Sequence, residues 1–148
     1  MAEILIMNGP NLNILGQREP DMYGGRTLDD INAELADMAR ELGVGAEFYQ
    51  SNHEGDLIDN IQSFKGKVLI INAGALSHYS IALLDALKSK TIPIIEVHMT
   101  NIYRREEFRR QSLISQAAAG GIYGLGADSY RLALLAAVKM MNGAVTKA

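Results

Sequence analysis

The chain has 148 residues, of which 48% are hydrophobic and 21% charged, a composition typical of a single globular domain spanning 1–148. It has no cysteine, which excludes disulfides, thiolate catalysis and cysteine-based metal sites. A net charge of −3 argues against non-specific binding to nucleic acid or to anionic membranes. No apolar run approaches the roughly 20 residues that span a bilayer, and the N-terminus has no basic signal region. We therefore expect a cytoplasmic protein that acts on a small molecule.

Short apolar runs rich in β-branched residues alternate with amphipathic segments along the chain. The runs predict five strands, at 3–7, 44–49, 67–71, 92–97 and 121–123. Helical spacing of apolar residues predicts helices at 27–42, 57–64 and 81–87, and a last helix from about 128 that ends before 143. Thr27 and Asp30 have the spacing of a capping box, and Gly43 is a suitable helix stop. This alternation indicates a doubly wound, five-stranded parallel sheet in three α/β/α layers.

The connection after the first predicted strand, residues 8–25, is unusually long. It has 18 residues, whereas such connections usually have about 2–6. It carries Arg18 and Tyr23 at the edge of the sheet where doubly wound folds bind their ligands. We predict a functional lid with its glycines as hinges. The alternative is a polar surface loop whose arginine and tyrosine are only solvated.

All three histidines also follow predicted strands: His53, His78 and His98. Glu96 and His98 are two residues apart on one strand, so their side chains leave the same face. The carboxylate could hold one ring nitrogen and keep the imidazole partly protonated near neutral pH. In the alternative interpretation, Glu96 pairs with a nearby arginine and the histidines are structural.

Two further connections could bind an anion. The turn at 72–78 could hold an anion or hydroxyls with its backbone N–H groups, Ser77 and His78, or could be a plain turn with a serine cap. Four arginines follow the fourth predicted strand: Arg104, Arg105, Arg109 and Arg110. Arginine suits a carboxylate, but arginines interleaved with glutamates more often form a solvated surface, so we expect only one to reach a ligand.

Four long motifs cover most of the chain: NGPNLNILGQREPDMYG at 8–24, SNHEGDLID at 51–59, INAGALSHYSIALLDAL at 71–87 and EVHMTNIYRREEFR at 96–109. In order and spacing they resemble the type II 3-dehydroquinate dehydratases, or type II dehydroquinases. The resemblance implies a flavodoxin-like fold and a lyase that dehydrates 3-dehydroquinate to 3-dehydroshikimate in the shikimate pathway, which leads to aromatic amino acids. It further implies no metal, cofactor or Schiff base, and a homododecamer built as a tetramer of trimers.

Matched by motif position, the resemblance implies a set of site residues. Tyr23 corresponds to the proton acceptor, Arg18 to the transition-state stabiliser and His98 to the proton donor, which Glu96 orients, while Asn13 lies near the intermediate. The positions that match substrate-binding residues are Asn72, His78, Asp85, Met99, Thr100 and Arg109.

This chain departs from the family pattern at two places. Met99 and Thr100 stand where Leu-Ser or Ile-Ser is usual; threonine keeps the hydroxyl, so we expect binding to persist with altered affinity. Tyr103 and Arg104 stand where His-Ala is frequent, beside the expected pocket. The competing hypothesis is a flavodoxin-like module that binds FMN or receives phosphate, although the first loop is not rich in serine or threonine and no acidic cluster suits magnesium.

Overall fold

A sheet of five parallel strands forms the centre of the computed structural model, which describes residues 2–143. The strands are β1 (Ile4–Asn8), β2 (Ala46–Gln50), β3 (Val68–Asn72), β4 (Ile94–His98) and β5 (Gly120–Tyr123). Their order is β2-β1-β3-β4-β5, and every pairing is parallel. This order is the flavodoxin-like one, so the predicted doubly wound sheet is confirmed. Residue 1 and residues 144–148 of the predicted domain lie outside the described part of the chain.

Helices cover both faces of the sheet. They are α1 (Pro20–Tyr23), α2 (Leu28–Leu42), α3 (Glu54–Ser63), α4 (Ile81–Lys88) and α5 (Asp128–Met141). The predicted capping box starts α2, because the Thr27 hydroxyl accepts from the Asp30 N–H at 3.1 Å and the Asp30 carboxylate accepts from the Thr27 N–H at 3.0 Å. Gly43 ends α2 in the left-handed conformation. Among residues 2–143, no helix is long and apolar enough to cross a membrane.

The central strands are buried on both faces, which explains their unbroken apolar runs. In β1, Ile4 and Ile6 pack with α2 and α5, whereas Leu5 and Met7 pack with α3 and α4. Each such side chain contributes about 1.5–3 kcal/mol of hydrophobic stabilisation when fully buried. The sheet is therefore held between two apolar layers; among its buried polar residues, Asn8, Asn72 and His98 end their strands, whereas Glu96 lies in the middle of β4.

The long connection after β1 is more ordered than the sequence predicts. It contains a 3₁₀ turn at Leu12–Ile14 and the short helix α1, and buried Leu12 and Leu15 fix it to the core. A Cβ atom at Gly9 would lie 2.5 Å from the Ala73 carbonyl oxygen, so glycine is needed there for a close approach. The loop therefore begins pressed against the end of β3.

Candidate active site

A cleft of about 150 Å³ lies at the carboxyl ends of β1, β3 and β4. This is the edge at which doubly wound sheets bind ligands. Three parts of the chain line the cleft. They are the loop after β1 (Asn11, Arg18 and Tyr23), the end of β3 with the turn that follows it (Asn72 and His78), and the end of β4 with the segment that follows it (His98, Met99, Thr100, Arg105 and Arg109). The cleft thus combines three arginines with two histidines, a set suited to an anionic ligand.

A larger cavity, of about 360 Å³, lies behind the end of β4 and along β5. It shares His98 and Ile102 with the cleft and also contains Glu96 and Ser115. No arginine lines this cavity, whereas Arg18, Arg105 and Arg109 line the cleft together with Tyr23. The smaller cleft is therefore the candidate active site.

Tyr23 lies between two arginines. Arg105 Nη1 donates a hydrogen bond to Tyr23 Oη at 2.9 Å and also contacts Thr100 Oγ1 at 3.3 Å. The Arg18 guanidinium carbon lies 5.1 Å from the centroid of the Tyr23 ring. A hydroxyl oxygen that accepts from one cation and lies near a second is placed to carry negative charge. The Tyr23 hydroxyl oxygen therefore lies in a cationic environment within the cleft.

His98 is held from behind by Glu96. His98 Nε2 donates to Glu96 Oε2 at 2.5 Å, and the carboxylate also accepts from Ser112 Oγ at 2.6 Å and from Ser115 Oγ. Burial alone would raise the pKa of Glu96, but the hydrogen bonds from His98, Ser112 and Ser115 outweigh it and the pKa is lowered. The carboxylate is thus ionised at neutral pH and stabilises a positive charge on His98, as expected from their spacing, and Glu96 contacts the histidine rather than an arginine.

His78 stacks against His98, with 6.2 Å between the ring centroids and 19° between the ring planes. Its Nδ1 donates to the Gln111 carbonyl oxygen at 2.8 Å. Burial lowers the pKa of His78 and outweighs the opposing effect of this hydrogen bond. The ring is therefore neutral at neutral pH, and its Nε2 is left as a hydrogen-bond acceptor.

A buried hydrogen-bond network fixes Asn72. Asn72 Nδ2 donates to Tyr130 Oη at 2.8 Å, and Tyr130 Oη donates to Asn8 Oδ1 at 2.5 Å. Asn72 Oδ1 accepts from the Gly74 N–H at 3.1 Å. Burial raises the pKa of Tyr130, which keeps its hydroxyl neutral and able to donate. These contacts set the amide orientation and leave one Asn72 N–H for a ligand.

Most of the site residues predicted from the sequence line this cleft, and Glu96 contacts His98 from outside it. Two predicted residues are not brought to it. Asn13 is exposed on the 3₁₀ turn, and Asn11, which adopts the left-handed conformation at φ 71°, lines the cleft instead. Asp85 is exposed on α4, away from the cleft.

Some residues at the site were not singled out by the sequence. Arg105 lines the cleft together with Arg109 and contacts Tyr23, although only Arg109 was matched to a substrate-binding position. The expectation that a single arginine after β4 reaches the ligand stays a prediction. Tyr130 contacts Asn72, and Ser112 and Ser115 contact Glu96. The partners are 16 to 58 residues apart in the chain, so no local sequence pattern identifies them.

Together, the fold and the site define an α/β enzyme that performs acid–base chemistry on a small anion, with a tyrosine among cations and a histidine on a carboxylate. A family model described as dehydroquinase class II matches residues 2–138. The 3-dehydroquinate dehydratase of Francisella philomiragia is 49% identical over 140 residues, which are 95% of this chain and 97% of that protein.

Solved structures agree with this comparison. The type II dehydroquinase of Propionibacterium acnes has a TM-score of 0.90 and 43% identity, over 94% of this chain and 98% of that one. The type II dehydroquinase of Butyrivibrio crossotus has a TM-score of 0.90 and 40% identity, over 92% and 97%. The chain belongs to the class II dehydroquinase family.

Tyr130→Phe tests the buried network. The variant keeps the ring but leaves Asn8 Oδ1 and Asn72 Nδ2 without their shared partner, so we expect a loss of about 1–3 kcal/mol in the free energy of unfolding. Chemical denaturation followed by circular dichroism measures it. Tyr103→Phe, at an exposed tyrosine, is the control and should be unchanged. Equal stability of the two variants would contradict the network.

Proposed function

We propose that the chain dehydrates 3-dehydroquinate to 3-dehydroshikimate, the reaction of its family, with Tyr23 as the base and His98 as the acid. The observation that carries the proposal is the placing of two unlike pairs on one cleft: Tyr23 with Arg105, and His98 with Glu96. The first pair favours an anionic oxygen and the second a cationic ring. An elimination of water beside a ketone needs one group of each kind.

In the first step, the Tyr23 phenolate takes the proton from the carbon next to the ketone. A tyrosine is a weak base unless cations stabilise its phenolate, and Arg105 and Arg18 supply that stabilisation. The electron pair of the broken C–H bond moves to the ketone oxygen and forms an enolate.

The enolate oxygen needs hydrogen-bond donors. Asn11 lines the cleft on the same loop as Tyr23, and its backbone N–H is held by Asn52 Oδ1 at 3.0 Å. We therefore assign to Asn11 the place near the intermediate that sequence matching gave to Asn13. Because that backbone N–H is occupied, the donor that we assign to the enolate oxygen is the Asn11 side-chain amide, which would stabilise the charge that develops in the transition state.

In the second step, the enolate collapses and the β-hydroxyl leaves with a proton from His98, as water. Glu96 holds His98 Nε2, so the proton that is transferred comes from Nδ1. The product is a conjugated enone. After the reaction Tyr23 holds the proton from carbon and His98 is neutral, so proton exchange with solvent restores both groups.

The remaining cleft residues hold the substrate. Arg109 lines the cleft opposite the loop, with its Nε on Glu106 at 3.0 Å, and is suited to the substrate carboxylate. Asn72, His78 and Thr100 present one N–H, one ring nitrogen and one hydroxyl to the ring hydroxyls. Met99 places its backbone at the same end of β4. That Met99 and Thr100 preserve binding with an altered affinity stays a prediction.

A flavodoxin-like module without catalysis is the alternative function, and the relatives give it no support because those named above are dehydratases or dehydroquinases. We further propose one catalytic domain over 1–148, a cytoplasmic location and a homododecamer of four trimers. Exposed Tyr79 and Ile81, each 65% accessible, support an interface at α4. A substrate role for Asp85, on that same helix, requires the cleft of a neighbouring copy.

The decisive experiment mixes purified protein with 3-dehydroquinate and follows the near-ultraviolet absorbance of the enone product. We expect a rise in absorbance that persists with EDTA, which removes metal ions, and with borohydride, which reduces a Schiff base. A folded protein that produces no rise contradicts the proposed function, and yellow protein or a spectral shift with FMN would support the alternative.

Tyr23→Phe and Arg18→Ala test the base. Each should lower kcat by orders of magnitude without unfolding the protein, because the proton acceptor or its stabilising cation is lost. Steady-state kinetics and circular dichroism measure the two effects. Tyr103→Phe serves again as the control, outside the cleft. Near-full activity of Tyr23→Phe would show that another group is the base.

Arg109→Ala tests the substrate carboxylate contact. Loss of a guanidinium that binds substrate and transition state equally should raise KM at least about ten-fold and leave kcat within about three-fold. Arg110→Ala is the matched control, an exposed neighbouring arginine outside the cleft lining. A large loss of kcat with unchanged KM would contradict the binding role.

A further inference from the structure

We propose that Ser112 and Ser115 are positioning residues for His98, and that the segment 111–115 fixes both histidines of the cleft without lining it. The inference rests on the proposed function, because it takes His98 as the acid. It adds residues that act on His98 through the Glu96 carboxylate. Neither serine contacts the cleft.

The segment is firmly anchored. The Leu113 N–H donates to the Ser77 carbonyl oxygen at 2.7 Å, and the Ile114 side chain is 1% exposed in the core beside α3 and α4. The first residue, Gln111, accepts from His78 Nδ1 at 2.8 Å. One end of the segment thereby sets the tautomer and ring plane of His78, which in turn stacks on His98.

The other end of the segment holds Glu96. Ser115 Oγ donates to Oε1, while Ser112 Oγ donates to Oε2 at 2.6 Å beside His98 Nε2. Each carboxylate oxygen therefore has a fixed donor, and the group cannot rotate away from the imidazole. Without the serines, His98 would be the one remaining hydrogen-bond partner of a carboxylate that is 5% exposed.

The Ser112 and Ser115 hydroxyls donate hydrogen bonds to the Glu96 carboxylate but do not neutralise its negative charge. The titratable groups that face Glu96 are His98 on its own strand and His78 from the turn after β3, and Tyr103 and Tyr123 line the cavity that Glu96 borders. A cation in place of either serine would offset the negative charge that supports protonated His98. Neutral donors stabilise the ionised carboxylate and leave its charge for the ring.

The test uses Ser112→Ala, Ser115→Ala and the double variant. We expect each single change to lower kcat about ten-fold with KM within about two-fold, because one charge-assisted hydrogen bond is lost. The acidic limb of the kcat–pH profile should move to higher pH, since the Glu96 pKa rises when its donors are removed. A purely structural effect would lower thermal stability and leave that limb in place.

Two control variants accompany these. Ser115→Thr keeps the hydroxyl and should restore the wild-type profile. Gln116→Ala changes an exposed side chain on the 3₁₀ turn Ile114–Gln116, which also contains Ser115, and should have no effect. A double variant with wild-type kcat and an unmoved acidic limb overturns the proposal.

A second measurement does not depend on activity. Protein that contains isotope-labelled histidine gives ring NMR signals from three residues, His53, His78 and His98. His53 is exposed and serves as the internal reference. We expect the low-pH step in the His98 signals, caused by protonation of Glu96, to move to higher pH in the double variant while His53 is unchanged. An unmoved step overturns the proposal even if the wild-type chain fails to dehydrate 3-dehydroquinate, a failure that would overturn the proposed function alone.

Discussion

The parallel pairing of β1 with β3 is the constraint on which the site depends, because it places Asn8 directly beside Asn72 where both strands end. Two buried amides cannot stay unpaired at low energetic cost, and the Tyr130 hydroxyl bridges them. That bridge also ties α5 to the catalytic edge of the sheet. The floor of the cleft is thus fixed by hydrogen bonds rather than by apolar packing, which would not orient an amide.

Above this floor, the site separates two electrostatic environments. Tyr23 lies among arginines, whereas His98 lies against a buried carboxylate whose pKa is lowered by hydrogen bonds from His98 itself and from Ser112 and Ser115. In the proposed reaction, these opposite local charges suit Tyr23 to the role of base and His98 to the role of acid. Neither group needs an unusual intrinsic reactivity, because the neighbouring charges supply the bias.

The proposed base, Tyr23, depends on contacts with residues that are remote in sequence. Tyr23 belongs to a four-residue helix, too short to be stable by itself, and its hydroxyl contacts an arginine 82 residues away. Buried Leu12 and Leu15 hold the first half of the same loop on the core. The connection after β1 is therefore ordered by its contacts with the core and with Arg105, and Tyr23 reaches the cleft only in the folded chain.

Periodicity and local spacing in the sequence are enough to predict the five strands, the helices α2 to α5, the location of the site at the strand ends and the common face of Glu96 and His98. They do not predict α1 or the 3₁₀ turn at Leu12–Ile14, which depend on packing against the core. The four long sequence motifs also indicated the class II dehydroquinase family. Only the tertiary structure decided that Arg105 contacts Tyr23, that Asn11 rather than Asn13 lines the cleft, and that Asp85 lies outside it. Such contacts join residues far apart in the chain, and a local pattern holds no information about which of several similar side chains packing will bring together.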